Sequence, residues 1–376
     1  MNQKIIRIIG ACAAIGLWAV LTAFCWFGPR AEFSYTERSQ LSQAPELSGE
    51  AVIDGSFMKD FEEFSLDQFP LRDAFRSLKA VFHLYGLGQA DNNGLFQQDG
   101  YLEQMEMTVD QSAMDRTASV FNGVYQNLLA GKTDKIYFTL IPDKGWYLDH
   151  PTADLNVMER SLLEHIDWAQ YVDIKDSLTI EDYYFTDTHW RQEKILKVAQ
   201  KLCAAMGSSA SADYVITELA RPFYGVYYGQ AALPVSPEKM YIMENDLLAD
   251  CKVYSYKQGP VSNPPQIGIY NTAQVDSMIE PYDVFLYGSN ETYLVIENPN
   301  AKTDKELVIF RDSFGCSLTP LLVQDYAKVT VIDLRRVGPT ALSFFENRGV
   351  LNLEGADVLF AYSALVINNP TSFQAN

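Results

Sequence analysis

The chain has 376 residues, 48% of them apolar and 20% charged. That composition is ordinary for a globular protein and excludes a disordered, collagen-like or polytopic membrane protein. The 48 Asp and Glu outweigh 29 Lys and Arg, for a net charge of −19. Such a surface repels polyanions at long range, so nucleic acid is not an expected partner, because its binding depends on cations that neutralise phosphates.

In chain order, residues 8–27 (IIGACAAIGLWAVLTAFCWF) form a run of 20 without a charge, preceded by Lys4 and Arg7. A helix of that length spans the ~30 Å hydrocarbon core. The cations before it place the N-terminus in the cytoplasm and the rest outside. The rival reading is a cleaved signal, but the large residues Phe24, Trp26 and Phe27 that close the run do not suit a cleavage site. Residues 1–29 are therefore read as an uncleaved membrane anchor. Residues 30–50, rich in Ser, Gln, Glu and Pro, read as a flexible tether.

From 51 to 376 one large α/β domain is expected. Helices are predicted over 57–69 and from Pro70 onward, then over 114–129. Residues 135–141 (KIYFTLI) have the look of a buried parallel strand. A helix over 155–169 and a short strand at 171–174 follow. Ile195, Val198, Ala199, Leu202, Cys203 and Met206 make an amphipathic stripe that predicts a helix over 191–206, stopped by Gly207. Residues 208–271 carry many Tyr, Pro and Gly and read as a β-rich insertion. The rhythm resumes as strand 306–310, helix 317–324, strand 328–333, helix 340–347 and strand 357–361. This alternation predicts a mainly parallel sheet flanked by helices. Cys203, Cys251 and Cys316 have no framework spacing and no C-x-x-C pair occurs, so neither a disulfide scaffold nor a structural zinc site is expected.

Four histidines bound the general-base chemistry: His83, His150, His165 and His189. The first and third lie within helical patterns and His150 in a loop. His189 lies in Asp187-Thr188-His189-Trp190. In an extended segment Asp187 and His189 point to one side, so the carboxylate can fix the imidazole tautomer and leave the other nitrogen as a base. The plainer alternative is an Asp helix cap beside a structural His. A nucleophile is offered by residues 307–315 (LVIFRDSFG), where Ser313 follows a strand and precedes a helix. A Ser there is exposed at the C-terminal sheet edge, near N–H groups able to hold an oxyanion. It also suits simple N-capping. Asp312 reads as a brace of the turn rather than the acid partner of His189.

Taken together, Asp-x-His-Trp and, about 125 residues later, a strand ending in Asp-Ser-Phe resemble the SGNH-hydrolase-like proteins of bacterial polysaccharide O-acetylation, AlgJ/AlgX-like and DHHW. Asp67-Gln68-Phe69-Pro70-Leu71-Arg72, Ile141-Pro142-Asp143-Lys144, Tyr282-Asp283 and Val331-Ile332-Asp333-Leu334-Arg335 strengthen the resemblance, which covers roughly residues 55–365. Two departures are Arg311, where a Gly usually precedes Asp-Ser, and Thr188 within the DHHW signature. The resemblance implies a circularly permuted SGNH-hydrolase-like fold. It implies that Ser313 carries an acetyl group, that His189 activates Ser313, and that Asp187 orients His189. Gly288 is a candidate oxyanion contributor and Arg335 a candidate substrate contact, with Trp190 and Asp312 in support. The implied activity is extracytoplasmic O-acetylation of a cell-surface or secreted polysaccharide, without a cofactor or metal, with a membrane-bound O-acyltransferase as acetyl supplier. A carbohydrate esterase with the same triad and a non-catalytic glycan-binding subunit are the alternatives. Beyond Pro29 the chain holds 27 cations and 48 anions, −21 net, which favours a neutral glycan over a polyanionic one.

Overall fold

The structure, a computed structural model, describes residues 3–106, 108–150, 152–211, 213–259, 262–277 and 279–373. The outer ends of the expected anchor (1–2) and domain (374–376) lie outside the described residues, as do 212, 260 and 261 of the expected insertion. The chain divides into two compact units, Met1–Phe96 with Tyr228–Ser236, and Gln97–Tyr227 with Pro237–Asn376.

In the first unit the apolar run forms a helix, Gln3–Phe27, almost wholly exposed and with a mean hydropathy of 2.2 over an 18-residue stretch. Its length and composition fit a single-pass membrane anchor. Residues 31–49 form local structure: Phe33–Ser34 pairs antiparallel with Ser39–Gln40. The Ser42 N–H donates to Asp67 (2.8 Å), and the Gln68 side chain bonds both polar groups of the Ala31 backbone. The helix Ser56–Asp67 follows, then Arg72–Val81, which continues as a wider turn, Phe82–Gly86. The segment 228–236 joins this unit through Asn92 Nδ2 to the Ala231 carbonyl (3.0 Å) and Arg76 to the Gly229 carbonyl (2.7 Å).

The second unit is built on eight strands: β1 Ile136–Ile141, β2 Gln170–Tyr171, β3 Lys252–Ser255, β4 Gln266–Ile267, β5 Tyr293–Glu297, β6 Lys305–Arg311, β7 Tyr326–Ile332 and β8 Asp357–Ser363. Their order is β4-β3-β5-β7-β6-β8-β1-β2. From β7 to β2 all pairs are parallel, and from β4 to β7 all are antiparallel. The sheet is thus mixed, with its parallel half as expected. Two of the antiparallel strands, β3 and β4, come from the stretch expected as an insertion. The alternation of side chains along each strand sorts the core into two layers. Leu307, Ile309, Leu359 and Ala361 face the layer of Val198, Ala199 and Leu202 from the helix Leu196–Ala205. Val308, Phe310, Val358 and Phe360 face Phe121 and Leu342 from the helices Gln111–Val124 and Pro339–Asn347. Phe121 is fully buried, with ring centroids of Phe360, Tyr362 and Phe373 within 4.9–5.6 Å.

The predicted 191–206 helix is split. Gln192–Lys194 is a tight turn and the helix proper is Leu196–Ala205. Gln192 is pulled inward, where its side chain donates to the Ser317 carbonyl (3.0 Å) and accepts the Met243 N–H (2.9 Å). The helix after the serine begins at once, Phe314–Leu318, followed by a tighter turn at Thr319–Leu322 where Pro320 sits.

Candidate active site

Strand β6 ends at Arg311 on the parallel half of the sheet, and the chain turns through Asp312 and Ser313 into the helix Phe314–Leu318. Asp312, fully buried, holds this turn. One carboxylate oxygen accepts the Phe314 N–H (3.0 Å) and the other the Ser363 N–H at the end of neighbouring β8 (2.7 Å). It braces the corner and lies apart from the imidazole. Ser313 stands at the N-cap position, yet its hydroxyl makes no capping bond. It lies 2.7 Å from Nε2 of His189 instead.

The imidazole is fixed from behind. Its Nδ1 lies 2.5 Å from Asp187 Oδ1, which also accepts the His189 N–H (3.0 Å). The second oxygen of Asp187 accepts the Val226 N–H (2.9 Å). With Nδ1–H given to the carboxylate, Nε2 is left as the acceptor facing the Ser313 hydroxyl. Asp187 is buried, 1% exposed, so solvent screens this contact little. The two halves expected from sequence, 124 positions apart, therefore meet in one relay.

Side chains that the sequence reading left in the background hold the relay in place. Tyr282 stacks on the His189 ring at 3.9 Å and 9°. Its hydroxyl bonds Ser317 Oγ (2.7 Å), which also receives the Trp190 indole N–H (2.9 Å). Trp190 thereby ties the histidine loop to the helix that follows Ser313. Lys144, buried beneath the loop, donates to the carbonyls of Tyr184 (3.1 Å), Phe185 (3.3 Å) and Asp187 (2.6 Å). Burial lowers its pKa, against the pull of Glu103, Asp187 and Glu238. Glu238 accepts the N–H groups of Phe185 (2.6 Å) and Thr186 (2.7 Å). Gly225 packs so closely that a Cβ there would sit 2.3 Å from the Thr186 carbonyl oxygen and from Asp187 Cβ. Lys144 and Tyr282 lay within segments that carried the resemblance. Glu238 and Gly225 had no local signal, because only the fold brings them to this loop.

Two further expectations resolve differently. The Gly288 N–H is donated to the Phe285 carbonyl (2.9 Å), and its own carbonyl accepts from Arg311 (3.2 Å). Gly288 is thus committed to loop structure and has no N–H to offer an oxyanion. At φ +68, with Asp283 where a Cβ would go, the position is closed to any side chain. Arg311, the departure before Asp-Ser, is fully buried and also donates to the Glu291 carbonyl (2.8 Å), so it anchors the 288–291 loop to the turn. Arg335 is clamped by Asp333 through two bonds, 2.9 and 2.7 Å. It lines a groove of about 510 Å³ with Glu106, Thr188, Tyr227, Asn368 and Asn369. His83 lies on a helical segment as expected, whereas the helix predicted over 155–169 ends at Leu163 and leaves His165 in the turn after it, where its Nδ1 contacts the Ser161 carbonyl (3.0 Å).

Burial also perturbs the neighbouring carboxyls. It pushes Glu103 up to about 7, with Lys144 opposing. Asp143 is raised well above the usual carboxylate range by burial, then by Glu103 and Glu106. Asp283 is raised to about 6 by burial and Glu280, with His189 opposing.

No family model matches the sequence, and no curated protein matches it significantly. Solved structures do. A DHHW family protein from Eubacterium siraeum is 17% identical, with TM-score 0.60 over 75% of this chain and 94% of that one. Bacillus cereus PatB1, solved with a sulfonyl adduct, is 20% identical, with TM-score 0.58 over 75% of this chain and 98% of that one. The O-acetyltransferase domain of Pseudomonas putida AlgJ is a weaker likeness, 12% identical with TM-score 0.42 over 73% and 92%. The first two are covered over nearly their whole length, and they establish that this chain shares the fold of that DHHW protein and of PatB1, here a mixed sheet flanked by helices.

Proposed function

We propose that the protein is an extracytoplasmic acyltransferase that moves an acetyl group onto a cell-surface or secreted polysaccharide through an acetyl-Ser313 intermediate. The observation that carries this reading is the Asp187–His189–Ser313 relay, with contacts of 2.5 and 2.7 Å at the C-terminal edge of the parallel strands. His189 Nε2 takes the Ser313 proton as Oγ attacks the acetyl carbonyl, and then returns it to the departing group of the donor. A sugar hydroxyl next attacks the acetyl-Ser carbonyl, giving its proton to Nε2, and Ser313 Oγ leaves with that proton. The covalent step divides one displacement into two. Asp187 keeps Nδ1 protonated and stabilises the imidazolium that forms. The Ser313 N–H, which donates to no acceptor among the described residues, is the candidate oxyanion donor in place of Gly288. Arg335 and the adjoining groove are offered as the place where the glycan rests.

The resemblance to polysaccharide O-acetylation proteins, the DHHW-like fold and the sulfonyl adduct carried by PatB1 all support a reactive serine here. The helix Gln3–Phe27 supports a single-pass placement beside a membrane-bound acetyl supplier. The test is mass spectrometry of Ser313 after exposure to an activated acetyl ester, with Ser313→Ala as control, followed by a neutral oligosaccharide. Acetyl on Ser313 that passes to the sugar is the expected result. Acetyl lost only to water indicates an esterase, and an unmodified Ser313 refutes the covalent route.

A further inference from the structure

The helix Arg72–Val81 and the turn Phe82–Gly86 that continues it are inside out. Phe75, Leu78, Phe82 and Tyr85 follow one another at helical spacing and are 47%, 64%, 57% and 67% exposed. Leu71, just before the helix, adds a fifth apolar side chain at 72%. The opposite face carries Arg72, Arg76 and Ala80 and is covered, while Asp73 and Lys79 stay exposed. Arg72 and Arg76 both pair with Glu37, and their side chains are only 24% and 21% exposed. Arg72 also reaches Asp67 (3.3 Å) and Arg76 the Gly229 carbonyl (2.7 Å). A surface helix in water does the reverse, burying its apolar stripe and exposing its charges. Here the ion pairs fix the roll of the helix, so the stripe, about 15 Å long from Phe75 to Tyr85, cannot turn inward. A continuous exposed apolar face of this kind marks a contact surface.

Its occupant follows from what lies beside it. The loop before the helix and the preceding helix Ser56–Asp67 pack on the apolar N-terminal helix. Phe69 meets Trp18 at 6.4 Å, Phe61 meets Trp26 at 5.4 Å, and Cys25 Sγ donates to the Ser65 carbonyl (3.1 Å). The stripe is therefore continuous with a helix suited to lipid. We propose that Leu71, Phe75, Leu78, Phe82 and Tyr85 form a membrane-interfacial face, buried in the outer leaflet of the lipid bilayer beside the anchor. An apolar stripe ending in a Tyr fits that boundary, where aromatic rings with one polar end settle. The helix would hold this unit flat against the bilayer, where a single anchor leaves it free to swing. The inference rests on the reading of Gln3–Phe27 as a membrane anchor.

The test uses the full chain in phosphatidylglycerol–phosphatidylcholine nanodiscs containing a lipid with a photoactivatable diazirine in its acyl chain, with labelled peptides identified by mass spectrometry. Labelling of 71–86 together with 3–27 is expected, while the exposed apolar pair Val215 and Ile216 (67% and 53%) stays unlabelled. In Phe75→Glu/Leu78→Glu/Phe82→Glu, whose positions are all at the surface, labelling of 71–86 falls to the level of that control and labelling of 3–27 persists. Label on 3–27 alone overturns the interfacial face and leaves the anchor standing. Label on neither overturns both. Equal label on 215–216, or label on 71–86 only in discs holding two copies, also overturns it, the last in favour of self-association.

Discussion

Replacing Asp312 by Asn separates the two roles open to a carboxylate beside the proposed nucleophile. Asp312 has no contact with the imidazole, and its two oxygens accept two buried N–H groups, from Phe314 at 3.0 Å and Ser363 at 2.7 Å. Asn offers one acceptor oxygen and turns an NH2 group toward the other N–H. One hydrogen bond to a charged group is lost, worth about 1.5–3 kcal/mol, and one buried donor is left unpaired, at about 1–3 kcal/mol more. A cost of about 3–5 kcal/mol follows, since Ser363 and Phe314 are fixed by packing and have no route to water. At roughly 2–4 °C per kcal/mol for a unit of this size, Tm falls by about 10 °C. Thermal unfolding of the full chain in nanodiscs measures it. The second readout is the rate at which a sulfonyl fluoride labels Ser313. The turn is loosened but the His189 tautomer is still set by Asp187, so labelling slows by no more than about 100-fold. Were Asp312 the partner acid, the loss would approach the ~10⁴-fold expected of a wrong tautomer. A Tm change under about 3 °C, or a 10⁴-fold loss at unchanged stability, refutes the reasoning.

Other outcomes follow from the same geometry. Asp187→Asn inverts the hydrogen-bond preference at Nδ1 and should cut Ser313 labelling by about 10⁴, with circular dichroism unchanged; near-normal labelling would remove Asp187 from the relay. Lys144→Met strips three carbonyls, two of them in buried contacts, of a charged donor and should cost about 3–5 kcal/mol in urea unfolding, and it should slow labelling about 10–100-fold through displacement of the Asp187 loop; unchanged kinetics would show that the loop holds itself. Glu103 has a folded pKa near 7, above its ordinary 4.5, so its contribution to stability is fully present below about pH 4.5 and is lost as pH rises through 7. The lost amount is about 3 kcal/mol, and Glu103→Gln should flatten the stability profile between pH 5 and 8; an identical slope in both proteins would refute the assignment. Gly225→Ala drives a Cβ into the Thr186 carbonyl and Asp187, and is expected to lower both Tm and labelling rate.

Much of this protein is written locally. The apolar N-terminal helix follows from a charge-free run, and the parallel strands β1, β6 and β8 from short apolar runs between helical stripes, because both are signals carried by neighbouring residues. The members of the Asp187–His189–Ser313 cluster were also legible, since Asp187 and His189 are two residues apart and Ser313 follows a strand. Its support was not. Lys144, Glu238, Gly225 and Tyr282 reach the Asp187–His189 loop from separate parts of the chain, and no spacing encodes such a meeting. Strand β5 and the incorporation of β3 and β4 into the sheet escaped for the same reason, as pairing partners are chosen by the crossovers of the whole sheet. Gly288 shows the limit from the other side: its residue type suits an oxyanion contributor, but the bond to Phe285 commits its N–H elsewhere. The helix Arg72–Val81 shows it too. Its amphipathic pattern is plain in the sequence, yet which face points outward was settled by Glu37, whose pairing with Arg72 and Arg76 turns those two cations in and leaves the apolar side exposed.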